Sequence, residues 1–115
     1  MLFRSSVDFD GNGVAEAASD GLLLLRYLIG LRGASLVDGA VGVNPQRDAL
    51  AIASYIASLG NTLDLDGDGS VNATTDGLLL LRYLMGLRGA ALTTGASATN
   101  RSAADIEKYV LSLLP

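Results

Sequence analysis

At 115 residues, half of them hydrophobic and only two of them proline, the chain is long enough for one domain with a modest core and is not disordered. The net charge is −4, with no basic stripe and no aromatic platform, which argues against a nucleic-acid partner. With no cysteine there are no disulfides, and with no histidine the commonest general base and transition-metal ligand is missing.

The amino terminus, MLFRSSVDFDG, turns acidic at once and does not read as a signal peptide. The chain is expected to be a piece of a larger secreted protein, and a lack of cysteine is compatible with bacterial secretion. All of 1–115 reads as a single domain. The acids are unevenly placed. Eight of the twelve are Asp8, Asp10, Glu16 and Asp20, and Asp64, Asp66, Asp68 and Asp76. The rest of the chain is mildly basic.

This clustering belongs to an internal repeat. DFDGNGVAEAASDGLLLLRYLIGLRGASL (8–36) aligns without gaps to DLDGDGSVNATTDGLLLLRYLMGLRGAAL (64–92), at an offset of 56 residues. After Asn44 and Asn100 a two-residue deletion restores the match, pairing Ile52, Tyr55, Ile56 and Leu59 with Ile106, Tyr109, Val110 and Leu113. Repeat one spans 8–59 and repeat two 64–113. Each unit is an acidic loop, an apolar helix, a Gly-containing connection and a second helix.

In chain order, the first helix of each unit is predicted over 20–31 and 76–87, rich in good helix formers. Ser19 and Thr75 are the expected N-caps, with Asp20 and Asp76 in the first turn. Gly33 and Gly89 are the expected stops, with Gly30 and Gly86 as earlier alternatives. Apolar stripes run through Leu22, Leu25 and Ile29 and through Leu24, Leu28 and Leu31, so this helix needs cover on several sides. The runs 22–31 and 78–87 contain Arg26 and Arg82 and are too short to span a bilayer. The second helices should begin near 45–48, with Pro45 in the first turn after Asn44, and near Ser102 in a capping-box pattern with Asp105. The fold class is all-α: two tandem loop-helix-helix units packed with pseudo-twofold symmetry, with no sheet beyond a short bridge between Ala15 and Val71.

The acids recur at alternate positions of a D-x-[DN]-x-[DN]-G loop. Asp8, Asp10, Asn12, Val14 and Glu16 occupy positions 1, 3, 5, 7 and 9 of the first copy. Asp64, Asp66, Asp68, Ser70 and Asn72 occupy them in the second. Ca²⁺ is a hard cation that takes about six to eight oxygens, and alternate residues of a curled loop can aim side chains inward. A glycine at position 6 (Gly13, Gly69) permits the left-handed turn that points the next carbonyl inward. Mg²⁺ fits less well, because it keeps water and demands an octahedron. An EF-hand closes this sphere with a carboxylate at position 12, but Ser19 and Thr75 stand there and Asp20 and Asp76 come one place later. Either the loop carries an extra residue and the Asp closes the site, or the hydroxyl ligates and the Asp only caps the helix. The carboxylate, with two oxygens and a charge, is the favoured closer. The metal set is therefore Asp8, Asp10, Asn12, Val14, Glu16, Asp20, Asp64, Asp66, Asp68, Ser70, Asn72 and Asp76, for two calcium ions.

Only seven residues precede Asp8, so the first loop is expected to have only an exiting helix. With Asp8-Phe-Asp10-Gly-Asn12-Gly, Asp64-Leu-Asp66-Gly-Asp68-Gly, and the helix starts Asp20-Gly-Leu-Leu-Leu-Leu-Arg26-Tyr27 and Asp76-Gly-Leu-Leu-Leu-Leu-Arg82-Tyr83, the chain resembles the dockerin family. The resemblance covers 8–32 and 64–88. It implies a calcium-folded module of an extracellular bacterial protein, often a polysaccharide-degrading enzyme, that docks on a cohesin-like or other surface protein.

The expected function is thus calcium-dependent protein–protein attachment at the cell surface or outside the cell. The alternative is a calcium-stabilised spacer or terminal cap with no dedicated partner. A sensor is disfavoured, since sensors expose Met-rich grooves. An enzyme is not expected, because no catalytic constellation remains once the loops are assigned. These features leave the oligomeric state open. Arg26 and Arg82 read as snorkelling side chains or carboxylate partners ahead of the alternative, contacts to a docking partner, and Arg32 and Arg88 as complements to helix C-termini. The four tyrosines read as core or core edge.

Overall fold

The computed structural model describes residues 7–42, 45–96 and 101–114. Its helices are α1 (Leu22–Leu28), α2 (Ala34–Val37), α3 (Ala49–Leu59), α4 (Leu78–Leu84), α5 (Ala90–Thr93) and α6 (Ala103–Leu113). A wide π-type turn leads into α1 (Ala17–Gly21) and another into α4 (Ala73–Gly77). A 3-10 turn, Gly60–Leu63, joins α3 to the second acidic loop. The class is all-helical, as expected. No strand occurs among the described residues, so the bridge expected between Ala15 and Val71 does not form. Both side chains pack half-buried against the core instead.

Helices α1 and α4 stop at Leu28 and Leu84, short of the expected ends. The terminator is Gly30 in one and Gly86 in the other, at φ 100° and 96°. Leu31 N donates to Arg26 O at 3.0 Å and Gly30 N to Tyr27 O at 3.0 Å. Leu87 and Gly86 repeat the pair onto Arg82 O and Tyr83 O, at 3.0 and 2.9 Å. These paired bonds form a Schellman motif, which closes the last carbonyls with a left-handed glycine. Gly33 and Gly89, expected as stops, instead begin α2 and α5, both at φ 62°. Arg32 and Arg88 complete the helix ends as expected, donating to Tyr27 O and Tyr83 O at 2.9 and 2.8 Å while stacking on the same tyrosine rings.

The early stop displaces the expected stripes. Leu23, Leu24, Leu79 and Leu80 are fully buried, whereas Ile29 and its repeat equivalent Met85 are 60 and 61 % exposed. Arg26 and Arg82 turn back to hold the ends of the short helices. Arg26 Nη1 donates to Leu36 O and Asp38 O at 3.2 and 2.6 Å, and Arg82 Nη1 to Leu92 O and Thr94 O at 3.1 and 2.7 Å. Charged donors on orphan carbonyls stabilise more than neutral ones.

Helix α3 begins at Ala49, with the Asp48 side chain accepting from Ala51 N at 2.9 Å, so Pro45 lies ahead of the helix. Asn44 lies outside the described residues. Ser102 caps α6 as expected, accepting from Asp105 N at 3.1 Å. Ile52 and Ile56 of α3 and Ile106 and Val110 of α6 join the leucines in one core with Phe9 and Leu65 from the acidic loops. The first π turn packs on α4 and the second on α1. A Cβ on Gly21 would come within 3.2 Å of Leu81 Cα, and one on Gly77 within 3.5 Å of Leu25 Cα. The radius of gyration, 13.0 Å, is that of a compact folded chain of this length, about 13 Å. Among the described residues no helix is long and apolar enough to cross a membrane.

Candidate metal centre

Each acidic loop curls around its own carboxylates. In the first, Asp8 Oδ2 accepts from Gly13 N at 2.7 Å, and Asp8 Oδ1 and Asp10 Oδ1 accept from Asn12 N at 3.2 and 3.3 Å. Asn12 Oδ1 takes Val14 N at 3.1 Å. In the second, Asp64 Oδ2 accepts from Gly69 N at 2.9 Å, Asp66 Oδ1 from Asp68 N at 3.3 Å and Asp68 Oδ1 from Ser70 N at 3.0 Å. Gly13 and Gly69 sit at φ 89° and 90°, where a Cβ would strain the backbone. The position-6 glycines are therefore required by conformation.

The π turns accommodate the extra residue between the loop and the late acid. Gly21 N donates to Glu16 O and Gly77 N to Asn72 O, at 3.1 and 3.0 Å, in the i→i+5 pattern of a π bulge. That bulge swings Asp20 and Asp76 back under their loops. Asp20 Oδ1 accepts from Phe9 N at 2.7 Å and Oδ2 from Glu16 N at 2.9 Å. Asp76 accepts from Asp66 N at 3.2 Å and Asn72 N at 2.9 Å. Ser19 and Thr75 are not the N-caps. Their hydroxyls donate to Asp20 Oδ2 and Asp76 Oδ2, at 3.3 and 3.2 Å, and orient the acids.

The result is two tight clusters. Asp8, Asp10 and Asp20 each offer an oxygen within 4.8 Å of the others, and so do Asp64, Asp66, Asp68 and Asp76. Either cluster could hold a metal ion. Asp10, Asp20, Asp66 and Asp76 are fully buried. Asn12 borders the first cluster, and Glu16 reaches Ser19 Oγ with its carboxylate at 3.4 Å. Val14, Ser70 and Asn72 lie exposed on the loop shoulders. Burial pushes the Asp20 carboxyl up to about 6, and the nearby Asp10 charge adds to it. Asp76 is raised to about 6 by burial, with Asp66 adding, and burial with Asp10 alongside raises Asp8. A cation would reverse these shifts, because an adjacent positive charge favours the ionised carboxylate.

Two arginines not anticipated from the sequence tie each loop to the second helix of its unit. Arg47 Nη1 donates to Asp8 O and Phe9 O at 2.8 and 3.2 Å, and its guanidinium lies 3.9 Å from the Tyr55 ring. Arg101 Nη1 donates to Leu65 O at 2.9 Å, and its guanidinium lies 5.9 Å from the Tyr109 ring. A Cβ on Gly11 would meet Arg47 at 3.3 Å, and one on Gly67 would collide with Arg101, so these loop glycines make room for the clamps. The signal was present in the repeat. Arg47 and Arg101 share the register that pairs Tyr55 with Tyr109.

Comparison with family models, with curated proteins and with solved structures found no match.

Proposed function

We propose that the chain is a calcium-binding, dockerin-like attachment module of a secreted or surface protein, folded by two calcium ions. In this reading Asp8, Asp10, Asn12, Glu16 and Asp20, with the Val14 carbonyl, hold one ion. Asp64, Asp66, Asp68, Asn72 and Asp76, with the Ser70 carbonyl, hold the other. The two EF-hand-like units pack about a pseudo-twofold axis, with Gly21 against Leu81 and Gly77 against Leu25 as its reciprocal contacts. The observation that carries the reading is that the same loop is built twice, each closed by a buried aspartate on a π turn.

Each ion supplies two positive charges to a cluster that otherwise repels itself. Two ions bring the net charge from −4 to about zero. Because the unfolded chain has no such loop, binding energy becomes folding energy. A site held at about 100 times its Kd adds about 2.7 kcal/mol, a large share of a domain's net stability of about 5–15 kcal/mol. Loose, extracellular-module affinities suffice where calcium is abundant.

Attachment is supported by Ile29 and Met85, exposed apolar side chains at the same place in both repeats. The spacer reading is supported by Arg26 and Arg82, whose guanidinium groups hold backbone carbonyls. Capture from the source organism's secreted proteins, with and without calcium, separates them. Attachment predicts a calcium-dependent partner that Ile29→Asp or Met85→Asp releases. If no partner is captured in calcium, the spacer reading stands.

A further inference from the structure

The first acidic loop carries Asn12-Gly13 where the second carries Asp68-Gly69. Among the asparagines of the chain, Asn12 alone is followed by glycine. That pair is the one most prone to deamidate, because glycine has no side chain to keep its nitrogen away from the preceding amide. The folded loop holds both partners back from this reaction. Gly13 N donates to Asp8 Oδ2 at 2.7 Å, and Asp8 is only 5 % exposed. A carboxylate placed there retains the proton that must leave and repels the amide anion that would attack. Asn12 Oδ1 accepts from Val14 N at 3.1 Å, in the manner of an Asx turn. Asn12 N donates to Asp8 Oδ1 and Asp10 Oδ1 at 3.2 and 3.3 Å. Gly42 lies so close to the Asn12 side-chain amide that a Cβ there would collide with it. Gly13 itself is exposed, so water reaches its nitrogen once these bonds open locally.

We infer that Asn12 is a modification site governed by the metal: it deamidates when the first loop opens and is spared while that loop is loaded. This rests on the calcium reading above. In the open loop the Gly13 nitrogen attacks Asn12 Cγ. The bond from Cγ to the side-chain nitrogen breaks, that nitrogen leaves as ammonia with the proton from Gly13, and a cyclic succinimide remains. Water then opens the ring at either carbonyl. One route gives aspartate, the residue that the second copy carries at this place. The other, favoured route gives isoaspartate, in which the main chain runs through the former side chain. Isoaspartate lengthens the backbone between loop positions 5 and 6, so the oxygens on either side of it no longer converge and the first site is lost. Asp68 has no amide to lose, and an ionised carboxylate is a poor target for the same attack. Because the ion binds only the closed loop, calcium at about 100 times its Kd lowers the open fraction about 100-fold. A period without calcium is thus written into the chain at Asn12.

The test is to age the full chain at mildly alkaline pH, in chelator and in calcium, and to follow Asn12 by peptide mapping with mass spectrometry. In chelator Asn12 should convert ahead of Asn61 and Asn72. In calcium at about 100 times its measured Kd, the conversion should be about 100-fold slower. Returned to calcium, the chelator-aged chain should have lost one of its two ions, while Asn12→Asp aged in the same way should keep both. Circular dichroism in calcium checks that Asn12→Asp folds, and the wild-type rates stand as a test by themselves if it does not. Calorimetric titration of the fresh chain separates the two readings. A fresh chain that binds no calcium overturns the calcium reading and this inference with it. Where the fresh chain binds two ions, equal conversion of Asn12 with and without calcium overturns this inference alone. So does an Asn12 no faster than Asn61 or Asn72 in chelator, or a folded Asn12→Asp that loses its ion as the wild type does.

Discussion

In the first acidic loop Asp8 is only 5 % exposed and Asp10 and Asp20 are fully buried, with Gly42 and Arg47 laid against the loop. In the second, four acids stand together, Asp64 is half-buried, Asp68 is exposed, and the Arg101 guanidinium lies 5.9 Å from its ring where Arg47 lies 3.9 Å from its own. The spacing of the motif sets which oxygens converge. How deeply they are held differs between the copies, although the spacing is the same. Two copies of one motif thus expose their acids to solvent to different degrees.

The largest expected effect tests what the two loops share. Asp76→Ala should weaken calcium binding at its site by more than about 100-fold. Thr75→Ala should cost about 10-fold, the loss of an outer-shell donor. Isothermal titration of both variants decides between them. If Thr75→Ala is the worse, the π-turn aspartate is not the closing ligand.

Next comes pH, to which the metal-free and loaded proteins should respond differently. Without metal, Asp20 and Asp76 titrate at about 6 in the fold, above the unfolded value of about 3.9. Protonation therefore stabilises the metal-free fold. That contribution is fully present below about pH 4 and is lost as pH rises through about 6. Calcium binds only the ionised acids, so affinity should fall as pH drops through about 6. The cation holds the loaded carboxyls ionised, so the loaded fold should lose stability only as pH falls below about 4, where the unfolded acids protonate. Thermal melts should show stability falling as pH rises from about 4 to about 6 in chelator, and nearly flat over that range in saturating calcium.

The arginine clamps should show the asymmetry directly. Arg47→Ala removes two charge-assisted hydrogen bonds and a close ring stack, and should cost about 2–3 kcal/mol in denaturant unfolding. Arg101→Ala should cost less, because its guanidinium lies 5.9 Å from the Tyr109 ring and forfeits less cation–π attraction. Equal losses would remove the basis for calling the first unit the more tightly held. The smallest effect is a control on parts that do not differ. Gly30→Ala and Gly86→Ala each lose a left-handed terminator and should cost about 1 kcal/mol alike.

Much of this was legible in the chain. The repeat, the acid clusters and the capping role of Ser102 follow from residue type and spacing alone. The late aspartate was visible as an anomaly, but its resolution needed the backbone. A π bulge is a local response to one inserted residue, and no residue type announces it. Ser19 and Thr75 were misplaced for the same reason, since the bulge turns their hydroxyls onto the aspartates. The four-residue helices α2 and α5 are too short to carry a period, so Gly33 and Gly89 looked like ends rather than beginnings. The bond from Gly42 N–H to Asp10 could not be recognised without coordinates, because it joins residues 32 positions apart.

The most direct test of the account is a calorimetric calcium titration of chelator-stripped protein, with circular dichroism followed in parallel. Two ions per chain, with helix content or thermal stability rising as they bind, is the result the account predicts. No binding at millimolar calcium, with the helices already intact, would contradict it and leave the acidic loops as turns that only cap their helices.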